Sequence, residues 1–432
     1  MDNIEFVDVT ITGVGIQGGA HSFILSHYTN IKSIRILEKE SGFGLINSHF
    51  NSNSQTLHVG DIETNYSKEK SAEVERKTDP LIRYVKKFAG GCFKRQGKMV
   101  IGVGKKEVQE LRARYADVDF QKLYPELRLV ERDELADLEP KIMEGRSDDE
   151  PIIALYTSGY TVNFQGVAES FITEAKKASD KDIQVYTNCE LTTITKIDGG
   201  YKITTKDGRI IHSRTVVIAA SGRSLFYAKS LGYGKHLGTL PIGGNFYYVR
   251  KQGLLRNKVY TVQAPGLPFA AKHGDPEFFD QSVTRFGPTA RFLPSLMQLV
   301  WTWKGFKTVF KIASDRILFL FMLKNMIYDI PKIGIKSVLK DLKKIVPTLE
   351  VEDLEISIEA HGTRDQVYNS ETAKLEMGDV CVIGDNILFE VTPSPGASVC
   401  MSNAYNGAQK IISFLGGNAE FLHNKWEADF KN

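Results

Sequence analysis

The first forty residues predict a strand, a helix and a second strand. Residues 6–12 are rich in β-branched side chains, which favour a strand. The glycine-rich run Gly13-Val14-Gly15-Ile16-Gln17-Gly18-Gly19 follows, and a helical pattern continues to about residue 28. Residues 33–37 predict a second strand that ends at Glu38-Lys39. The pattern is therefore that of a β-α-β unit.

Hairpins and charged helices are predicted in the middle of the chain. Residues 68–88 and 105–116 have the helical period with one charged face, and residues 98–103 predict a strand between them. Short alternating runs over residues 183–211 are separated by Asp-Gly turns, which predicts β-hairpins. Residues 215–220 form a continuous apolar run that predicts a buried strand.

The second half of the chain predicts another β-rich region before it returns to the strand–turn–helix pattern. Residues 240–290 are rich in aromatic residues and are interrupted by Gly and Pro, whereas residues 295–345 are basic and predict helices. A strand over 380–383 and a glycine turn precede a helix over 402–414.

These elements predict an α/β fold, in which a Rossmann-like nucleotide-binding domain, discontinuous in sequence, carries a β-rich antiparallel-sheet substrate domain. The predicted boundaries are residues 1–80, 150–235 and 365–432 for the nucleotide-binding domain, and residues 81–149 and 236–364 for the substrate domain.

Composition narrows the class of protein. Of 432 residues, 42% are hydrophobic and 25% are charged, as in soluble globular proteins. This mix excludes a disordered chain, a collagen-like fibre and a polytopic membrane protein. The strongest apolar run, residues 317–323, is far shorter than the roughly 20 residues of a spanning helix, and the N-terminus lacks a signal-peptide pattern. We therefore expect a cytoplasmic-side protein that does not span a membrane.

Cysteine and metal-ligand patterns are absent from the sequence. The four cysteines contain no CxxC pair, so they form no disulfide framework and predict reduced thiols. No His, Cys, Asp or Glu cluster has metal-ligand spacing, and the sequence predicts no metal.

Charge is unevenly distributed along the chain. The formal net charge is +3, which gives no support for a nucleic-acid-binding face. Residues 301–345, however, contain ten basic and three acidic residues, so this segment carries +7 and the remainder −4.

The glycine-rich run has the spacing of a dinucleotide-binding loop. In Gly-x-Gly-x-x-Gly, Gly13 permits a tight turn, Gly15 lets backbone approach a pyrophosphate, and Gly18 allows close helix–strand packing. Glu38 stands 20 residues after Gly18, where a carboxylate accepts hydrogen bonds from ribose hydroxyls. The alternative is a glycine-rich turn in an ordinary α/β protein.

The chain favours FAD over NAD as the dinucleotide. Gly102-Val103-Gly104 lacks a third glycine, so there is no second complete motif. Strand and glycine-turn elements recur at residues 215–222 and 380–397, which indicates a nucleotide domain interrupted by a β-rich insertion. Such an interruption suits FAD, and a reduced substrate would then deliver electrons directly to the flavin.

Several segments together carry a family resemblance. They are Gly13 to Gly18 with Glu38-Lys39, Asn53-Ser54-Gln55-Thr56-Leu57-His58, Leu138-Glu139-Pro140, Phe286-Gly287-Pro288-Thr289-Ala290 and Thr392-Pro393-Ser394-Pro395-Gly396-Ala397. In these segments the chain resembles the D-amino-acid-oxidase-like FAD-dependent oxidoreductases.

Within that superfamily the chain resembles the malate:quinone oxidoreductases, over residues 6 to about 415. The segments that carry this resemblance are Asp61-Ile62-Glu63-Thr64-Asn65-Tyr66, Lys258-Val259-Tyr260-Thr261-Val262-Gln263, Leu267-Pro268-Phe269-Ala270-Ala271-Lys272-His273-Gly274-Asp275-Pro276 and Gly362-Thr363-Arg364-Asp365-Gln366. The resemblance implies FAD-dependent oxidation of L-malate to oxaloacetate, with electrons passed to a membrane quinone. The chain departs from the family at Gln17 in the first turn, and at Thr363 and Asp365, which flank Arg364. The second departure leaves the exact 2-hydroxy acid open.

The resemblance implies three catalytic residues. His273 is the expected base, because an imidazole ordinarily titrates close to neutral pH. Arg364 is the expected clamp for a substrate carboxylate, since a guanidinium binds carboxylates through two hydrogen bonds. His58 is expected near the flavin ring. Without the resemblance, His273 is more simply a structural histidine and Arg364 a surface arginine. For His58 the alternative is a structural histidine held by hydrogen bonds.

The expected cofactor contacts are more numerous. The resemblance implies that the Pro395-Gly396-Ala397 turn lets backbone N–H groups approach the pyrimidine end of the isoalloxazine, where they stabilise negative charge on the reduced flavin. The full predicted set is Gly13, Gly15, Gly18, Glu38, Lys39, Ser54, Gln55, Thr56, Leu191, Gly222, Pro395, Gly396 and Ala397.

Other functions of the same fold stay open from sequence. One is an L-2-hydroxyglutarate or L-lactate dehydrogenase or oxidase, and another is a non-catalytic flavin-binding membrane adaptor. Quinone lies in the bilayer, so the basic and aromatic segment 301–345 predicts peripheral docking on the inner face of the cell membrane. The alternative for this segment is a pair of amphipathic helices packed on the core with a solvated lysine face.

Overall fold

The computed structural model describes residues 4–263, 271–287, 291–292, 333–372, 374–376, 380–391 and 395–430. Within these ranges the strands form two sheets, one of eight strands and one of ten. In chain order the strands are β1 (Ile4–Thr12), β2 (Ser33–Leu37), β3 (Phe93–Val103), β4 (Arg128–Val130), β5 (Ile152–Val162), β6 (Asp182–Tyr186), β7 (Leu191–Ile197), β8 (Gly200–Thr205), β9 (Ile210–Ile218), β10 (Leu237–Arg250), β11 (Lys258–Thr261), β12 (His273–Pro276), β13 (Val283–Gly287), β14 (Arg291–Phe292), β15 (Glu355–Asn369), β16 (Lys374–Glu376), β17 (Cys381–Gly384) and β18 (Ile387–Glu390).

The helices of the described residues lie mostly against these sheets. They are α1 (Ile16–His27), α2 (Lys68–Phe88), α3 (Lys105–Ala116), α4 (Val118–Leu123), α5 (Arg132–Leu138), α6 (Pro140–Met143), α7 (Phe164–Ala175), α8 (Gly222–Ser230), α9 (Ile333–Leu342), α10 (Cys400–Leu415) and α11 (His423–Phe430). Two single 3-10 turns occur at Gly90–Cys92 and Val351–Asp353.

The eight-stranded sheet contains the β-α-β unit that the hydrophobic pattern predicts. Its order is β17-β18-β9-β1-β2-β6, with the β7-β8 hairpin attached to β9. Strands β18, β9, β1, β2 and β6 run parallel. Val9 and Ile11 of β1 are fully buried, as expected for a parallel strand covered on both faces.

Helix α1 is buried on almost every side, which holds the glycine-rich loop at its N-terminus in place. The Phe23 ring lies 4.8 Å from the Tyr84 ring of α2 and 5.8 Å from the Phe171 ring of α7. Gly407 of α10 approaches α1 so closely that an added Cβ would lie 2.3 Å from His21 Cε1. Helices α2, α7 and α10 therefore enclose α1.

The ten-stranded sheet is antiparallel except where β11 runs parallel to β3. Its order is β16-β15-β10-β13-β12-β11-β3-β5-β4, and β14 pairs with β10. Strands β5 and β16 and the end of β15 belong to this sheet, although they fall within ranges predicted for the nucleotide-binding domain.

A loop that follows β2 of the eight-stranded sheet reaches the ten-stranded sheet. Thr56 forms a bridge with Thr161 of β5, and the Leu57 N–H donates to the Tyr160 carbonyl at 3.2 Å. The Ser54-Gln55-Thr56-Leu57-His58 segment is thereby held on the ten-stranded sheet.

The end of the basic segment is described, whereas residues 301–332 lie outside the described residues. Helix α9 buries Val338, Leu339 and Leu342 in the core. Lys343 pairs with Glu350 at 3.0 Å and Lys344 with Glu107 at 2.5 Å. Among the described helices none is both long and apolar enough to cross a membrane.

Candidate active site

Two of the three loop glycines occupy positions that exclude a side chain. Gly13 has φ +84°, and a Cβ there would lie 2.6 Å from the Ala219 carbonyl oxygen. A Cβ on Gly18 would lie 1.8 Å from the Gly13 carbonyl oxygen. Gly15 caps α1 in an extended conformation. The loop therefore brings backbone against the end of β9 and presents the helix N-terminus at its centre.

Glu38 contacts the glycine loop directly. Its side chain is buried at the end of β2, where Oε2 accepts from the Val14 N–H at 2.6 Å and Oε1 accepts from the Glu40 N–H at 2.9 Å. Burial raises the pKa of this carboxyl group, while the two N–H donors oppose the rise. Lys39 is more exposed and pairs with Glu40 at 3.0 Å.

This arrangement fits a dinucleotide. A pyrophosphate is held by glycines that leave no room for a side chain and by the N-terminus of a helix, and a ribose is held by a buried carboxylate. The loop and Glu38 provide these three features. The predicted residues Gly13, Gly15, Gly18 and Glu38 are brought together.

Gln55 and Thr56 direct their side chains toward the ten-stranded sheet. Gln55 adopts φ +55° and is fully buried. Its Nε2 donates to Glu277 Oε1 at 3.1 Å, and its Oε1 accepts from the Phe278 N–H at 3.1 Å. The Thr56 hydroxyl lies 2.6 Å from the Tyr260 hydroxyl. The two side chains thus anchor the loop to the sheet.

Three buried cations of the sheet hold the carbonyl groups of the same loop. Lys258 Nζ donates to the Ser54 carbonyl at 2.9 Å, and Lys98 Nζ to the Leu57 carbonyl at 3.2 Å. Arg285 donates to the carbonyls of Phe50 and Asn53 at 2.7 and 3.0 Å. Sequence reasoning missed these residues, because a lysine in a short strand is ordinarily a solvated one.

His58 is positioned by contacts from three parts of the chain. Its ring atom Nδ1 lies 2.5 Å from Glu63 Oε1. Its backbone N–H donates to Ser398 Oγ at 3.0 Å, and the Thr78 hydroxyl donates to its backbone carbonyl at 3.3 Å. Burial alone raises the pKa of Glu63, but the hydrogen bond and charge of His58 and the charge of Lys98 lower it to about 2. Glu63 is therefore ionised beside His58.

The Pro395-Gly396-Ala397 turn lies next to His58. The Ser398 N–H donates to the Pro395 carbonyl at 2.9 Å and closes the turn. Because Ser398 Oγ also receives the His58 N–H, the turn and His58 are brought together as predicted for two parts of one flavin site.

His273 lies on β12 opposite Tyr260 of β11. The two rings stack with centroids 4.8 Å apart, and the His58 ring meets Tyr260 on edge at 6.1 Å. Tyr260 therefore contacts both predicted catalytic histidines. Apart from the segment that it shares with the family, nothing in the sequence indicated that Tyr260 would contact both histidines.

Arg364 is located by its backbone alone. It lies on β15, opposite Ile242 of β10, and its side chain lies outside the described residues. It belongs to the same sheet as His273.

The last two predicted cofactor residues lie at the eight-stranded sheet. Leu191 begins β7 and is buried in its core, where its carbonyl accepts from the Tyr227 hydroxyl at 2.8 Å. Gly222 begins α8, and Ala219, which touches Gly13, lies three residues before it. Gly222 is thus close in sequence to a residue that packs against the glycine loop, whereas the Leu191 side chain lies in the core of the eight-stranded sheet.

Solved structures of similar fold include two oxidases, one of them with FAD bound. The chain is similar to the dithionite-reduced L-α-glycerophosphate oxidase from Mycoplasma pneumoniae with FAD bound, at TM-score 0.68 and 18% identity, over 96% of both chains. It is also similar to glycine oxidase from Geobacillus kaustophilus, at TM-score 0.66 and 16% identity, over 94% of this chain and 95% of that one. The predicted α/β fold class, with a Rossmann-like domain and a β-rich antiparallel sheet, is confirmed.

Sequence comparison defines the family within this fold. The profile described as malate:quinone oxidoreductase (Mqo) matches residues 91–428. The chain is 37% identical to malate:quinone oxidoreductase of Helicobacter pylori strain 26695, over 97% of this chain and 96% of the relative. It is 34% identical to the probable malate:quinone oxidoreductase of Campylobacter jejuni, over 99% and 100%. The chain belongs to the malate:quinone oxidoreductase family, which confirms the resemblance seen in its sequence.

Proposed function

We propose that this chain oxidises L-malate to oxaloacetate with bound FAD and passes the electrons to a membrane quinone. One observation carries the proposal. In a chain of the malate:quinone oxidoreductase family, His58 and His273 both contact Tyr260, at the loop that joins the dinucleotide sheet to the ten-stranded sheet.

The chain's own residues supply the cofactor site. The N–H groups at the start of α1 and the backbone of Gly13, Gly15 and Gly18 hold the pyrophosphate, and Glu38 holds ribose hydroxyls. The Pro395-Gly396-Ala397 turn directs N–H groups toward the pyrimidine end of the flavin. The other proposed cofactor contacts are Lys39, Ser54, Gln55, Thr56, Leu191 and Gly222. Bound FAD supplies the two-electron acceptor for the C2 hydride of the substrate.

The substrate residues are proposed on the ten-stranded sheet and its connecting loop. Malate has a hydroxyl proton to lose and two carboxylates to bind. His273 accepts the hydroxyl proton, Arg364 binds a carboxylate through its guanidinium group, and His58 lies beside the flavin ring. The proposed domain division keeps these roles apart: one part holds the cofactor, and the other holds the substrate.

Membrane docking is proposed for segment 301–345. The support is its charge of +7 and its aromatic residues Trp301, Trp303, Phe306, Phe310, Phe319 and Phe321. Lys343 and Lys344 are engaged in ion pairs, so the contact is proposed for the basic residues that precede them. The protein would then work at the inner face of the cell membrane, where quinone is reached without a spanning helix.

The proposal is tested by anaerobic reduction of the FAD-loaded protein. We expect L-malate to abolish the visible flavin absorbance, whereas L-2-hydroxyglutarate, L-lactate and D-malate reduce it at least about tenfold more slowly, because a site built for one substrate rejects analogues. Stopped-flow absorbance gives the rates. Faster reduction by another 2-hydroxy acid would replace malate as the substrate, and no reduction by any of them would favour the non-catalytic adaptor.

Reoxidation identifies the acceptor. After reduction by malate, a soluble quinone should restore the flavin absorbance faster than dissolved oxygen does. The reverse order would make the protein an oxidase.

A further inference from the structure

His273 and Asp275 lie two residues apart on β12, so their side chains project from the same face of the sheet. Nδ1 of His273 is 2.5 Å from Oδ2 of Asp275. Gly274 faces the other side, where an added Cβ would lie 2.5 Å from Leu255 Cδ1 and 2.7 Å from Phe286 Cε1. Close packing behind the strand therefore holds the His273–Asp275 pair in position.

The Asp275 carboxylate is itself anchored. It is fully buried, and its Oδ1 accepts from Lys258 Nζ at 3.3 Å and from the Tyr260 hydroxyl at 3.5 Å. Arg285 lies opposite it on β13. Burial alone raises the pKa of a carboxyl group, but His273, once it carries the proton, and the charges of Lys258 and Arg285 hold the pKa of Asp275 well below its usual value. Asp275 is therefore ionised at neutral pH.

The His273 ring is held by two aromatic rings. The Tyr260 ring stacks on it at 4.8 Å with an interplanar angle of 23°, and the Phe246 ring meets it at 6.2 Å. Tyr260 is in turn held by the Thr56 hydroxyl. The two rings and the Asp275 carboxylate beside Nδ1 therefore restrict the orientation of the imidazole.

We propose that Asp275 is the positioning residue of His273, an inference that rests on the proposed function. The carboxylate keeps the proton of the neutral imidazole on Nδ1 and leaves the lone pair on Nε2 as the proton acceptor. When malate is oxidised, its hydroxyl O–H bond breaks and Nε2 takes the proton. The C2–H bond breaks as the carbonyl forms, its hydride would pass to bound FAD, and the ionised Asp275 stabilises the resulting imidazolium.

His58 and Glu63 form a second pair of the same kind, but with a different setting. The His58 side chain is 23% exposed and sits beside the Pro395-Gly396-Ala397 turn, whereas the His273 side chain is 5% exposed. Lys258 and Arg285 flank the Asp275 carboxylate, whereas the charge of Lys98 acts on Glu63. The more deeply buried pair therefore contains the histidine proposed as the base.

The test compares Asp275→Asn, His273→Ala and the double variant in single-turnover flavin reduction by L-malate. We expect Asp275→Asn to lower the limiting reduction rate about 100-fold, with the malate dissociation constant changed less than about threefold. In the His273→Ala background, Asp275→Asn should cost less than about threefold more, because a residue that acts through His273 has nothing left to position. A rate kept by Asp275→Asn, or additive losses in the double variant, would overturn the proposal.

The control is Glu139→Gln. Glu139 is a buried carboxylate that accepts from the N–H groups of Arg256 and Asn257, away from His273. It should keep the reduction rate within about twofold, which separates positioning from the general loss of a buried charge.

A second measurement needs no change at Asp275. In protein loaded with FAD and labelled with 15N-histidine, assigned with His273→Gln, the His273 resonances should show a protonated Nδ1 and an unprotonated Nε2. A protonated Nε2 with an unprotonated Nδ1 would contradict the proposal. If wild-type flavin is not reduced by malate at all, it is the proposed function that fails, and the tautomer still decides the role of Asp275.

Discussion

Individual residues at this site are charged, buried and paired. Lys98 Nζ lies 2.7 Å from Asp61 Oδ1, and both side chains are buried. Lys258 forms an ion pair with Asp275, and the Glu63 carboxylate lies against the His58 ring. A buried ion without a partner costs several kcal/mol, so each acid and its cation must be kept together. The lysines gain a second role because they also hold loop carbonyls.

Glu63 gives the pH dependence of stability a definite sign. Its pKa is about 2 in the folded chain against an ordinary 4.5, so its contribution is complete above pH 4.5 and is lost as pH falls toward 2. At about 1.4 kcal/mol per pKa unit, we expect Glu63→Gln to lower the free energy of unfolding at pH 7 by up to about 3 kcal/mol and to flatten its decline below pH 4.5. Urea unfolding at several pH values measures both.

A matched control is again available in Glu139. Burial raises its pKa, so its contribution is lost as pH rises, and Glu139→Gln should change the slope in the opposite direction. If the free energy of unfolding changed with pH equally in wild type and Glu63→Gln, the neighbours of Glu63 would not lower its pKa.

At the scale of elements, the glycine loop depends on the packing of α1. The helix is apolar or small on nearly all sides, and α2, α7 and α10 enclose it. It therefore cannot tilt to make room for a larger loop residue. This rigidity makes the loop sensitive to a single methyl group.

Gly18→Ala tests that sensitivity. The new Cβ would lie 1.8 Å from the Gly13 carbonyl oxygen, so backbone must shift. We expect a loss of about 1–3 kcal/mol in the free energy of unfolding and FAD binding weakened at least about tenfold. Urea unfolding and flavin titration measure these effects. Gly91→Ala, where nothing lies within 4 Å, should change neither; FAD binding kept by Gly18→Ala would exclude the loop as the pyrophosphate site.

At the scale of the whole molecule, the residues proposed for the cofactor pyrophosphate and those proposed for the substrate lie on different sheets. The dinucleotide loop follows β1 of the eight-stranded sheet, whereas His273 and Arg364 lie on the ten-stranded sheet. The loop from Phe50 to His58 is held on the ten-stranded sheet by Lys98, Lys258 and Arg285. This anchoring holds His58 near Tyr260, whose ring also stacks on His273.

The membrane proposal also concerns the whole molecule. Replacing Lys304, Lys307, Lys311 and Lys324 together by Gln should remove about 4 kcal/mol of binding to anionic vesicles, at about 1 kcal/mol per basic residue. Co-sedimentation with vesicles over a range of salt concentrations measures this loss, and wild-type binding should fall as salt rises. Lys343→Gln should change little, since that lysine is paired with Glu350. Binding that ignores both salt and the four substitutions would remove the segment from docking.

Local sequence was sufficient for the dinucleotide half of the site. Gly13, Gly18 and Glu38 were identified from spacing alone, because a tight turn, a helix start and a strand end each depend on neighbouring residues. The catalytic histidines needed the family resemblance, since a histidine in a loop or strand has no period of its own. Their roles remain predictions.

The sequence by itself determined the β-α-β unit, the interrupted α/β class and the family, because periodicity and long shared segments are properties of the chain. Only the tertiary structure decided which charges meet. Asp275 is separated from Arg285 by ten residues and Lys98 from Leu57 by 41, and strand pairing and loop packing alone bring them together. Burial then sets their protonation, since the cost of a charge depends on the water removed around it.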